Sequence, residues 1–217
     1  MTKRVTLIAA AATEATRTAR FPADEPLEAR AYTLLQQVKL PLWEGHTVQA
    51  SPKTAARQTA QSLALVPVAI ADLTDINFGD WAGKSIDEVA ATHPQHLTDW
   101  LADAAFDGHG GESRTALGQR AARWLQSCAE GPAHTIAVTH AAVVKSLILQ
   151  VVGATPEAFW RVDIAPLTLT DLRHDGRRWI LRTSGAPLAR PPVTDDQLSE
   201  TVDGTRLSCT PLAPKFE

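Results

Sequence analysis

Apolar positions along the chain fall into short β-branched runs, separated by longer stretches of helical period. Residues 4–9 (RVTLIA) have the length and composition of a buried strand. GHTVQAS (45–51) predicts a second strand, VPVAIA (66–71) a third and HTIAVT (134–139) a fourth. A proline-punctuated loop from residue 20 leads into a helix near 26–38. Ser51-Pro52 predicts a helix start, with Ser51 as N-cap and Pro52 in the first turn. Ala55, Ala56, Thr59, Ala60 and Leu63 give that helix a small-residue face suited to close packing. SIDE (85–88) is a capping box opening a helix to about His93, and Pro94 starts another through Trp100. Ser113 caps a helix to about Glu130, and a further helix covers 141–152. Residues 165–183 alternate on both sides of Asp175-Gly176, a strong hairpin signal.

Strands alternating with helices imply a three-layer α/β/α fold, with a mostly parallel sheet covered on both faces. The expected organisation is one α/β domain over 1–184 and an irregular tail over 185–217, rich in Pro, Thr and Asp. Ligands in such sheets bind beyond the carboxyl ends of the strands. The loops opening at Ala9-Ala10, Ser51-Pro52, Asp72–Gly83 and His140 are therefore the candidate site.

Composition narrows the class. Apolar residues make up 44% of the chain, enough for a substantial core, and the net charge of −3 offers no basic surplus for nucleic acid or a membrane surface. Cys128 and Cys209 are far apart and form no Cys-x-x-Cys pattern, so neither a disulfide framework nor a cysteine zinc site is expected. Lys3-Arg4 before Val5–Ala12 imitates a signal peptide, but that run is short for one and contains Thr6. No stretch approaches the roughly 20 apolar residues of a membrane span. The expectation is a cytoplasmic protein with a small-molecule ligand, no nucleic-acid or membrane partner and no cofactor, with a homodimer left open.

Five motifs occur in a recognisable order. They are Leu7–Glu14 (LIAAAATE), Ser51–Ala60 (SPKTAARQTA), Asp75–Gly83 (DINFGDWAG), Gly110–Ser113 (GGES) and Val138–Ala142 (VTHAA). Together they resemble the histidine phosphatase (phosphoglycerate mutase-like) superfamily over roughly residues 3–183. The family patterns are Leu-Ile-Arg-His-Gly-x-Thr-Glu, Ser-Pro-x-x-Arg-Ala-x-x-Thr-Ala, Glu-x-x-Phe-Gly-x-Trp-Glu-Gly, Gly-Gly-Glu-Ser and Val-x-His-Gly-Gly. The resemblance implies a phosphoglycerate mutase-like fold.

The departures bear on function. In the family the first-strand histidine attacks phosphorus; its place here is Ala10. The arginines that hold phosphate are replaced by Ala9 and Ala55, and the acid/base position by the shorter Asp75. The second histidine persists as His140. Alanine has neither lone pair nor donor, so covalent catalysis through position 10 is excluded. Arg57 lies two residues past Ala55, about 200° around the helix, and should point away.

The expected catalytic set is His140, Asp75 and Glu112, able to do general acid–base work. Two of them have a structural alternative: His140 as a hydrogen-bonded strand end, Glu112 as a carboxylate favoured at a helix start. Expected ligand contacts are Thr13, Arg17, Arg20, Ser51, Arg57, Trp81, Gly111 and Ala141, with Arg17 and Arg20 equally readable as solvated charges and Trp81 as core. No His-x-x-x-His or His-x-Glu spacing supports a metal site. His93, His96, His109, His134 and His174 read as surface or loop residues, and Trp100, Trp124, Trp160 and Trp179 as core. The expected function is binding of a small anionic ligand or a partner in a remnant cleft, without phosphatase or mutase activity. Two alternatives use the same residues. One is a repurposed lyase, isomerase or non-phosphoryl hydrolase; the other is a phosphatase-like hydrolase whose histidine at position 10 has been replaced by alanine.

Overall fold

The computed structural model describes residues 2–40 and 46–188. Among these, the strands are β1 (Lys3–Ala9), β2 (His46–Ala50), β3 (Val68–Ala69), β4 (His134–Thr139), β5 (Thr168–His174) and β6 (Trp179–Pro187). The helices are α1 (Glu14–Arg17), α2 (Ala29–Leu35), α3 (Thr54–Ser62), α4 (Ile86–Thr92), α5 (Pro94–Ala102), α6 (Arg114–Glu130) and α7 (Ala141–Val152).

One sheet runs in the order β3-β2-β4-β1-β5-β6. β3, β2, β4 and β1 are mutually parallel, and β5 is antiparallel to both β1 and β6. Only β5 is reversed, so the sheet is mostly parallel, as the alternation of strands and helices predicts. Period-two alternation along β1 sends Val5, Leu7 and Ala9 to one face, against Leu117, Ala121 and Trp124 of α6 and Val143 and Leu147 of α7. Ile8 points the other way and joins Ala50, Ile136 and Val138 against Ala56 and Ala60 of α3. Each Leu, Ile or Val so buried contributes about 1.5–3 kcal/mol. Helices thus cover both faces, in three layers.

Local signals place several elements. Ser85 and Glu88 form the reciprocal capping box of α4, and the Ser113 hydroxyl accepts the Ala116 amide at 3.1 Å. In the hairpin, Asp175 Oδ1 accepts the Arg177 and Arg178 amides at 2.8 and 2.9 Å, and Gly176 supplies the positive φ of +98°.

Other expectations need correction. α3 starts at Thr54 rather than Pro52, with Lys53 as N-cap, so Ser51 is not its cap. The Thr54 amide is met instead by Asp24 Oδ1 at 2.7 Å, from a loop distant in sequence. The third strand shrinks to Val68–Ala69 at the sheet edge, where Val66 and Val68 are exposed. α2 is shorter than the predicted 26–38. β6 continues past 184, where Ala186 and Pro187 pair with Leu169 and Thr168; the rest of the expected tail, 189–217 with Cys209, lies outside the described residues. His109 and His134 are buried, and Trp160 is exposed. Cys128 is a buried free thiol, pushed up to about 11 by that burial. Among the described residues no helix is long and apolar enough to cross a membrane.

Candidate functional site

Parallel strands deliver their carboxyl ends to one edge. β1 and β4 are neighbours with Ala9 opposite Thr139, and the Ala10 amide donates to the Thr139 carbonyl at 2.7 Å. β2 lies on the other side of β4, and the Ser51 amide donates to Val138. Ala10, Ser51 and His140 therefore emerge side by side. The Thr139 hydroxyl donates to the Leu73 carbonyl at 2.6 Å, tying this edge to the loop that carries Asp75.

A cleft of about 240 Å³ opens there. Its lining includes Ala9, Ala10, Ala11, Thr13, Ala55, Asp75, His140 and Ala141, together with Asp24, Glu25, Lys53 and Lys145. His140 Nε2 and Ser51 Oγ share a hydrogen bond of 2.8 Å, and His140 Nδ1 faces Asp75 Oδ2 at 3.5 Å. Asp75 Oδ1 also accepts the Ile76 amide. Asp75, His140 and Ser51 thus stand in the order of a nucleophilic triad. Ser51 is fully buried, however, and its oxygen also accepts the Lys53 amide at 3.2 Å. No reactant reaches it, so its hydroxyl orients the imidazole.

Of the expected catalytic set, the structure brings His140 and Asp75 together and places Glu112 elsewhere. Both oxygens of Glu112 are gripped by the Arg120 fork, at 2.9 and 2.7 Å. The same guanidinium donates to the carbonyls of Asp72 and Thr74 at 2.7 and 2.8 Å. Arg120 therefore moulds the loop that presents Asp75. No motif announces Arg120: its carboxylate partner lies eight residues back and its carbonyl partners more than forty.

The expected ligand contacts divide similarly. Thr13 and Ala141 line the cleft, and Ser51 backs its histidine. The Thr13 hydroxyl is also engaged, donating to Glu25 at 2.9 Å and capping α1. Arg17 pairs with Glu28 and Glu14, and Arg20 with Glu88 and the Gly83 carbonyl; both are exposed and outside the lining. Arg57 is exposed and outside it too. Although partial burial acts to raise Asp24, the Thr54 amide and hydroxyl, with Lys53 and Arg57, hold its carboxyl below the usual range. Trp81 is buried among Phe21, Trp100, Phe106 and His109, away from this cleft. Gly111 serves backbone packing: a Cβ there would sit 2.1 Å from the Asn77 carbonyl oxygen.

Lys145, like Asp24, Glu25 and Lys53, lines the cleft without having been expected from the sequence. It follows Ala141 by four positions on α7, so both share one helical face. That spacing was the available signal. Burial lowers its ammonium from the ordinary lysine value. Among the described residues no group of three or more His, Cys, Asp or Glu has a metal-holding arrangement.

Comparison with known proteins places the architecture. The model of the histidine phosphatase superfamily (branch 1) matches residues 9–186. The bifunctional protein Rv2228c of Mycobacterium tuberculosis strain H37Rv is 30% identical over an alignment of 137 residues that covers 59% of this chain and 38% of that protein. The chain thus matches well under half the length of that curated relative. Among solved structures, YhfR of Bacillus stearothermophilus superposes with a TM-score of 0.78 at 23% identity, covering 85% of this chain and 97% of its own. The alpha-ribazole phosphatase of Shigella flexneri gives 0.73 at 21% identity, covering 84% and 96%. The mycobacterial glucosyl-3-phosphoglycerate phosphatase Rv2419c gives 0.71 at 19% identity, covering 86% and 100%. At these identities the likeness is one of fold.

Proposed function

The chain belongs to the histidine phosphatase superfamily, and from that premise we propose that its cleft binds a small anionic ligand without forming a phosphohistidine. The observation that carries this reading is Ala10, at the end of β1 beside His140, where the family motif has its attacking histidine. A methyl group cannot attack phosphorus. Ala9 and Ala55 stand where the family motifs have phosphate-holding arginines, and both line the same cleft. Losing a single oxyanion donor costs about 3 kcal/mol of barrier, and here two cationic forks and the nucleophile are missing together.

The remaining cleft still suits an anion. Its carboxylates already have partners: Asp24 has the Thr54 amide, Glu25 has Thr13 and the Ala23 amide, and Asp75 has Ile76 and His140. Its lysines keep donors to spare. The volume is below the roughly 300–1,000 Å³ of drug-sized sites, which favours a small molecule.

A second reading, acid–base chemistry on a non-phosphoryl substrate, is favoured by the His140–Asp75 contact inside the cleft. Restoring the nucleophile by Ala10→His tests the primary reading. With no arginine at positions 9 or 55, the variant should still release no phosphate from p-nitrophenyl phosphate. Robust release by that single variant would show that the phosphatase machinery is otherwise intact, and would favour instead a phosphatase-like hydrolase whose histidine at position 10 has been replaced by alanine.

A further inference from the structure

The chemistry of the anion can be narrowed from the cleft's own walls. Ala9, Ala10, Ala55, Ile76, Phe78 and Phe159 make most of the surface apolar. Such a surface holds a hydrocarbon body by burial and offers a polar group little. The ionic side chains are unevenly committed. Lys53 donates to the Ala23 carbonyl, at a long 3.5 Å. Among the described residues no hydrogen bond or ion pair holds the Lys145 ammonium. It lies 5.2 Å from the centre of the Phe159 ring, and the exposed Asp163 acts on it only at a distance. A half-buried ammonium in an apolar cleft, with its counter-charge missing, is costly unless an anion completes it.

The same wall disfavours a dianion. Asp24, Glu25 and Asp75 put three carboxylates in the lining against Lys53 and Lys145. A doubly charged phosphate needs several convergent donors, best an arginine fork, and no arginine lines the cleft. One carboxylate needs one ammonium.

Resting on the proposed anion-binding role, we infer that the ligand is a monocarboxylate with a compact apolar body, and that Lys145 is its counter-charge. The carboxylate pairs with Nζ, the body lies on the alanine floor, and the Phe159 ring lies 5.2 Å from the ammonium. Lys145 thereby determines specificity for carboxylate over phosphate ester.

Three probes of one shape separate the possibilities: benzoate, phenyl phosphate and benzamide, followed by calorimetry and by thermal shift on the full chain. Wild-type protein should bind benzoate saturably, benzamide not detectably, and phenyl phosphate at least about tenfold more weakly than benzoate. Lys145→Met should weaken benzoate at least about tenfold, and Lys145→Arg, which keeps the charge, should retain most of the affinity. If Lys145→Met does not fold, the ranking of the three probes on wild-type protein still decides. Benzoate binding equally well to folded Lys145→Met, or phenyl phosphate binding more tightly than benzoate, overturns the inference and leaves the anion-binding reading standing. Binding of neither anion overturns both.

Discussion

Both ring nitrogens of His140 have protein partners, Ser51 on Nε2 and Asp75 on Nδ1. The two contacts differ in quality. At 2.8 Å the serine bond is a full hydrogen bond, whereas 3.5 Å to the carboxylate is a long approach. The imidazole is therefore held mainly by a hydroxyl that is itself fully buried. Ser51→Ala removes this oxygen and leaves both Nε2 and the Lys53 amide short of a partner. Stability should fall by about 1–3 kcal/mol, read from the urea midpoint. An unchanged midpoint would mean that the serine does not hold the ring.

At the scale of elements, what could be read from sequence was what neighbours in sequence decide. Ser85 with Glu88, Ser113 before α6 and Asp175-Gly176 act within four residues, and all three sit where predicted. Long-range partners were not legible. Asp24 serves the start of α3 across thirty positions, which left Ser51 free to face His140. Glu112 matches its motif, yet its oxygens go to Arg120 rather than to the cleft. The retained glycines have a similar explanation. The 77–80 and 109–112 loops cross backbone to backbone, with the Glu112 amide on Asn77 and the Asp80 amide on His109. Gly79, at φ +51°, and Gly111 leave no room for a Cβ. Gly111→Ala should therefore cost about 1–3 kcal/mol, lowering Tm by several degrees. Gly118→Ala, in α6 with nothing within 4 Å of its added Cβ, should instead stabilise by about 0.5–1 kcal/mol. Equal effects of the two changes would contradict the crossing as the reason for Gly111.

For the molecule as a whole, the two ends of the sheet have different electrostatics. At the end away from the cleft, His134 opens β4 between Arg4 and His46, with Thr6 Oγ1 2.9 Å from its ring. Burial, aided by Arg4 and His46, pushes its pKa down to about 4. The unfolded chain, with a histidine near 6.5, binds that proton first, so this stabilisation is complete above pH 6.5 and is lost as pH falls toward 4. His109, buried beside Trp81, Phe78 and Phe106, is lowered in the same sense. Unfolding free energy should drop by up to about 3 kcal/mol between pH 7 and 4 on His134's account. His134→Gln should flatten the pH 5–7 part of the curve; a slope unchanged by that substitution would assign it to other groups. At the cleft end, a phosphatase scaffold is combined with an alanine floor. Whether this floor supports phosphohistidine chemistry is read from phosphate release from a panel of phosphate esters, with wild-type protein and His140→Ala side by side. Wild-type protein should release no more phosphate than the variant. Turnover by wild-type protein that disappears in His140→Ala would contradict it.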